Sequence, residues 1–146
     1  MAKKTYMLSE HFSLDEMTRS TVAERMGFSN APDPVQLERL RKLCTQVLEP
    51  LRAHLGRPVR ISSGFRSQSV NKAVGGATNS QHMRGQAADI PLTSVREGWE
   101  ILTWIKHNLS FDQLFLEQGR NSMWVHVSYV APDKNRNQVL TMQIKK

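Results

Sequence analysis

The chain has 146 residues, with 20 Lys plus Arg against 13 Asp plus Glu, a net charge of +7 and one cysteine. That length predicts a single domain, residues 1–146, able to bury its own core; one cysteine excludes an internal disulfide and the Cys-rich zinc frameworks. No apolar run approaches the ~20 residues of a membrane span, so no membrane insertion is expected. No apolar segment follows the basic pair Lys3-Lys4, so synthesis in the cytoplasm without a secretory signal is expected. Ser13-Leu14-Asp15-Glu16 has the form of a capping box and predicts a short helix. Asn30-Ala31-Pro32-Asp33-Pro34 is a break, from which Asp33, Pro34 and Gln36 start a second helix. Leu37, Leu40, Leu43, Val47, Leu48 and Leu51 give it one apolar face, Pro50 should kink it or start a new turn, and Gly56 ends it. Cys44, beside Leu43 and Val47, reads as packing.

Val59-Arg60-Ile61 reads as a short strand leading into Ser62-Ser63-Gly64-Phe65-Arg66-Ser67. Ser69 to Val74 is a helical turn stopped by Gly75-Gly76. Ala87 to Ile90 is a short buried strand. Ser94-Val95-Arg96-Glu97 caps a helix with Ile101, Leu102, Ile105 and Leu109 on one side and with Trp99 and Trp104 as packing residues. Phe111–Glu117 and Met123–Tyr129 predict an antiparallel hairpin, and Leu140, Met142 and Ile144 a last strand. Helices early and strands late predict an α+β domain.

The chemistry gathers in Asn79-Ser80-Gln81-His82-Met83-Arg84-Gly85-Gln86-Ala87-Ala88-Asp89-Ile90. His82 stands in a Gly- and Ser-containing loop, poor surroundings for a core histidine. Asp89 closes an apolar strand, where a carboxylate is costly unless paired or bound to a cation. His126 sits mid-strand in Trp124-Val125-His126-Val127-Ser128. Two imidazoles and one carboxylate suit Zn²⁺ with a fourth position open, where the metal acidifies water and polarises a carbonyl oxygen. Spacing alone leaves the alternative of a loop histidine, a turn aspartate and a hydrogen-bonded core histidine. Arg84 and Gln86 read as exposed loop residues. His11, His54 and His107 lack ligand-like surroundings.

These segments resemble the zinc D-alanyl-D-alanine peptidases, in the runs Ser62-Ser63-Gly64-Phe65-Arg66-Ser67, Ser80 to Asp89 and Trp124 to Ser128. The family includes carboxypeptidases, dipeptidases and phage murein endopeptidases, and it shares its fold with the hedgehog amino-terminal domain. The resemblance, nearest to short single-domain phage and prophage members, covers roughly residues 8 to 130. It implies a small antiparallel sheet carrying one Zn²⁺ on His82, Asp89 and His126. Arg66 matches an arginine that in some members faces the substrate carboxylate, and Ser80 a pocket serine. Many members carry an acidic general base three positions before the last ligand histidine; this chain has Met123. Glu117, across the predicted hairpin from Met123 and Trp124, is then the expected base, with Asp112 at the far end of its strand as the alternative. Trp124 is on the His126 side of its strand and is expected to wall the pocket.

The resemblance implies a monomeric hydrolase of peptidoglycan stem peptides or cross-links. As a phage lysis enzyme it would reach the wall through a membrane pore. Two other readings compete. One is an inactive wall-binding module of the same fold, which Met123 keeps open. The other is a basic nucleic-acid-binding protein, against which the scattered basic residues and the absence of zinc-finger, basic-zipper or RNP spacing both argue. The positive charge suits an anionic wall.

Overall fold

The computed structural model describes residues 6–144; the basic pair Lys3-Lys4 lies outside the described residues. Side-chain caps set the helix starts. Ser13 Oγ accepts the Glu16 N–H to open α1 (Leu14–Thr18), and Ser20 opens α2 (Thr21–Met26) on Ala23. Asp33 and Gln36 form a reciprocal box at 2.7 and 2.8 Å ahead of α3 (Pro34–Leu43). The helix does not stop at Pro50. It runs through a π-helical turn, Cys44–Leu48, into α4 (Glu49–Leu55), which Gly56 ends in the left-handed region at φ 68°. Proline offers no N–H to the preceding turn, and Pro50 stands in the first turn of α4, directly after the widened turn, as the expectation of a new turn there has it. Two further helices follow, α5 (Gln68–Ala73) and α6 (Val95–Asn108).

The sheet places β3 (Met123–Ser128) between β1 (Ala87–Pro91) and β2 (Gln113–Gln118), antiparallel to both. The expected last strand is instead two pieces, β4 (Gln138–Val139) and β5 (Gln143–Ile144), each paired in parallel with β2. Of its alternating apolar residues, Leu140 and Met142 are half-buried, Met142 against the core, while Ile144 is 73% exposed. The strand expected at Val59–Ile61 is also absent. The chain meets β1 only from Ser62, whose N–H donates to the Asp89 carbonyl at 3.0 Å, and by a bridge at Ser63, after which the Phe65 N–H turns to the Met17 carbonyl at 2.8 Å.

Strand alternation divides the sheet into two faces. Ala88, Ile90, Leu114, Leu116, Val125 and Val127 are buried on one, in a core shared with Leu40, Leu43, Leu48, Leu51, Ile101 and Ile105. Each such large side chain stabilises the fold by about 1.5–3 kcal/mol. Cys44 belongs to this core, and burial pushes its thiol up to about 12, so it stays protonated at neutral pH. Trp99 departs from expectation: it is 46% exposed, while Trp104 is half-buried and stacks on His54. Gln86, expected in an exposed loop, is buried.

Asp112 fastens the C-terminal segment. It accepts Arg136 Nε and Nη2 at 2.9 and 2.7 Å and also holds Gln81 Nε2 at 2.9 Å. The hydrogen bonds from Arg136, against the opposing effect of burial, hold its carboxyl down at about 2, below its ordinary 3.8. A depressed carboxyl pKa stabilises the fold fully above the unfolded value and ceases to do so as pH falls through the folded value. Asp112→Asn is therefore expected to unfold more easily than the parent at pH 7, with the difference shrinking as pH falls from 4 towards 2. Thermal melts at stepped pH test this.

Candidate metal centre

The second face of the sheet carries the chemistry. Asp89 on β1, His126 on β3 and Phe115 on β2 lie side by side in register, and the next row is Pro91, Trp124 and Glu117. His82 arrives from outside the sheet, on a 3-10 turn (Gln81–Arg84) that ends at Gly85. Gly85 has φ 77°, and a Cβ there would lie 2.5 Å from the Gln36 carbonyl, so both conformation and space demand glycine.

Three donors converge. Asp89 Oδ1 stands 3.3 Å from His82 Nε2 and 3.0 Å from His126 Nδ1, and one ligand atom from each residue fits within a 4.8 Å cluster. His82 and Asp89 are buried, and His126 is nearly so. Burial alone would raise the Asp89 pKa. The imidazoles, His82 foremost, reverse that and hold the carboxyl far below the usual range.

The surroundings orient the donors. His82 Nδ1 lies 2.7 Å from the Gly64 carbonyl, which can only accept, so Nδ1 carries the proton and Nε2 keeps its lone pair for a cation. Gly64 has no alternative: a Cβ would fall 2.4 Å from the Met17 carbonyl. Gly64→Ala should lower the denaturation midpoint by an amount worth about 1–3 kcal/mol, because a backbone atom must move. The Phe115 ring stacks on His126 at 4.6 Å and fixes its plane.

Arg66 is not an open fork. Its Nε donates to Ser63 Oγ at 2.9 Å, Nη1 to Asn71 Oδ1 at 3.2 Å and Nη2 to Asp89 Oδ2 at 3.3 Å. Asp89 thus turns Oδ1 to the imidazoles and Oδ2 to the guanidinium. Burial works against the Arg66 charge, while the Asp89 and Glu117 carboxylates favour it. Arg66→Lys would lose the planar set of three bonds, and metal affinity by chelator competition should fall about 10–100-fold.

Two asparagines escaped sequence reasoning. Asn30, read as part of a break, donates to the Phe65 carbonyl at 3.1 Å and accepts the Ser67 N–H at 2.7 Å, holding both neighbours of Arg66. Asn71 is buried against Arg66, and a Cβ on Gly76 would collide with it at 2.0 Å. The one sequence sign was a polar residue in a segment otherwise spaced for packing.

Ser80 uses its Oγ to accept the His82 N–H at 3.2 Å, capping the turn that carries the ligand. Trp124 stands on the metal face and donates Nε1 to Glu117 Oε1 at 2.9 Å. Glu117 therefore shares the face of His126. Asp112 is committed to Arg136 and Gln81. Met123, paired with Gln118, points to the opposite face from His126, so an acid at that position of this regular strand would point away from the triad.

Two imidazoles and a carboxylate, free of sulfur and backed by oriented hydrogen bonds, make a metallohydrolase type of site and suit zinc. A family model described as Peptidase M15 matches residues 10–128, and the chain belongs to that family, the zinc D-alanyl-D-alanine peptidases it resembles. It is also 38% identical over 68 residues to the zinc D-Ala-D-Ala carboxypeptidase of Streptomyces albus G. That alignment spans 46% of this chain and 26% of that relative.

Proposed function

We propose that the chain is a zinc-dependent peptidase that hydrolyses an amide bond in a peptidoglycan stem peptide or cross-link. The convergence of His82, Asp89 and His126 beneath a face that also carries Glu117 is the observation that supports it most. His82, Asp89 and His126 would hold one zinc ion, and its Lewis acidity would polarise the scissile carbonyl and acidify water. Glu117 removes the proton of the attacking water and returns a proton to the leaving amine. Trp124 holds one carboxylate oxygen of Glu117, which leaves the other for that transfer. Arg66 fixes Asp89 and adds positive charge beside the substrate, and Ser80 serves the pocket by holding the turn of His82.

In this reading residues 1–146 form one catalytic domain of the hedgehog type that acts on the wall as a monomer. A phage lysis role is its natural setting, with passage through a membrane pore. The position of Glu117 on the His126 face weighs against the inactive-module reading that Met123 keeps open. Zinc-loaded protein should release new amines from cell-wall sacculi and should stop when chelated. A zinc-loaded parent that releases none from sacculi of several wall types rules the proposal out.

A further inference from the structure

α6 turns Ile101, Leu102 and Ile105 into the core, and its outer side carries Val95, Trp99, Thr103 and His107 at four-residue spacing. Together with His54 and Leu55 at the end of α4, that outer side lines a crevice of about 910 Å³. Neither the metal triad nor Glu117 lines it; α6 and the sheet stand between it and the metal face. The volume lies at the upper end of ligand sites, with room for more than a single sugar ring.

Its chemistry alternates over short distances. Two indoles supply ring faces: Trp99 is 46% exposed, and Trp104 is held by the His54 ring stacked on it at 4.5 Å. Between them stand polar groups that the fold leaves unpaired. Neither indole Nε1–H, nor the Thr103 hydroxyl, nor the rings of His54 and His107 hydrogen-bond to another group among the described residues. The crevice has one Arg and one Glu, and Arg96 and Glu100 pair with each other at 3.4 Å. In a chain of net charge +7 this crevice is therefore charge-balanced, which gives an anion no partner and suits an uncharged one.

A sugar ring matches that pattern. Its C–H groups are apolar and slightly positive, and meet the negative face of an indole, while its hydroxyls take up unpaired donors and acceptors at the ring edge. An apolar protein face or a lipid surface would leave the same polar groups unsatisfied.

We propose that the crevice between α4 and α6 binds an uncharged oligosaccharide, with Trp99 and Trp104 stacking on its rings. The saccharide site stands on the crevice alone. Its natural ligand rests on the peptidase reading: the glycan strand of peptidoglycan, whose lactyl carboxyls are taken up in amide bonds to the stem peptides. Lying behind the sheet, the site holds the enzyme to a strand while the metal face stays free for the peptide.

The zinc-loaded full chain, with isotope-labelled indoles, is titrated with the tetramer of N-acetylglucosamine and followed by NMR. The Trp99 and Trp104 Nε1–H signals should shift, and that of Trp124 should not. Trp99→Ala should weaken binding about tenfold, and Trp99→Phe should restore part of it, each at an unchanged melting temperature. The affinity should hold from about 0.05 to about 0.5 M salt, since no charge is matched across the contact. A tetramer that shifts neither indole, or binding that survives Trp99→Ala in full, overturns the site. So does a dimer, seen by sedimentation, that Trp99→Ala dissociates, because the face is then an interface between copies. Glu117→Gln protein should pellet with sacculi, and less so once Trp99→Ala is added; equal pelleting overturns the assignment to the wall glycan. Sugar binding without hydrolysis of sacculi supports the site and refutes the peptidase, and hydrolysis without sugar binding does the reverse.

Discussion

Glu117→Gln should cut hydrolysis by about 10²–10⁴-fold while the protein keeps its zinc and its melting temperature. The substitution keeps the size of the side chain and an oxygen able to accept the Trp124 Nε1–H, so the local contact survives. It removes the one property the mechanism needs, a carboxylate able to take and return a proton. Glu117 is half-buried on β2, one row beyond Phe115 and His126, so the loss should fall on kcat rather than on folding. Product release from a defined muropeptide, with zinc content measured on the same sample, separates these effects. A variant that hydrolyses at the parent rate removes Glu117 from the chemistry.

Asp89→Ala should do greater damage than either histidine substitution. The residue is a candidate ligand, and its other oxygen pairs with a guanidinium that is only 13% exposed. Its removal therefore takes away a metal ligand and strands a largely buried cation, a loss worth about 3–5 kcal/mol. His126→Ala should also lose zinc but leave the Asp89–Arg66 pair intact, at a smaller loss of stability. Denaturation midpoints of the two metal-free variants make the comparison. Equal midpoints would mean that the Arg66 contact contributes nothing to the fold.

The candidate metal donors each broke a local rule (a histidine among small loop residues, a carboxylate ending an apolar strand, a histidine between buried valines), but spacing left an alternative open and the family resemblance assigned the set. Glu117 followed from strand parity, since a hairpin that puts His126 on one face puts Trp124 and Glu117 there too. The helix starts at Ser13, Asp33 and Ser94 were equally local, each side chain capping its own next turn. What the sequence hid depends on contacts between distant segments. Gly64 is needed because Met17 crosses it, and Arg66 is occupied because Asn71 and Asp89 reach it from either side. The missing strand at Val59–Ile61 is of the same kind: propensity favoured extension, but pairing with β1 begins only at Ser62. Trp99 was misplaced because helical spacing shows which side a residue takes, not whether anything covers that side.

The central claim is that His82, Asp89 and His126 hold one zinc ion. X-ray absorption at the zinc edge of the purified protein tests it most directly. The expected spectrum has nitrogen and oxygen neighbours alone at about 2.0–2.2 Å, with the imidazole scattering of two histidines and one zinc per chain. A sulfur neighbour near about 2.3 Å, or a protein that takes up no zinc, would contradict it.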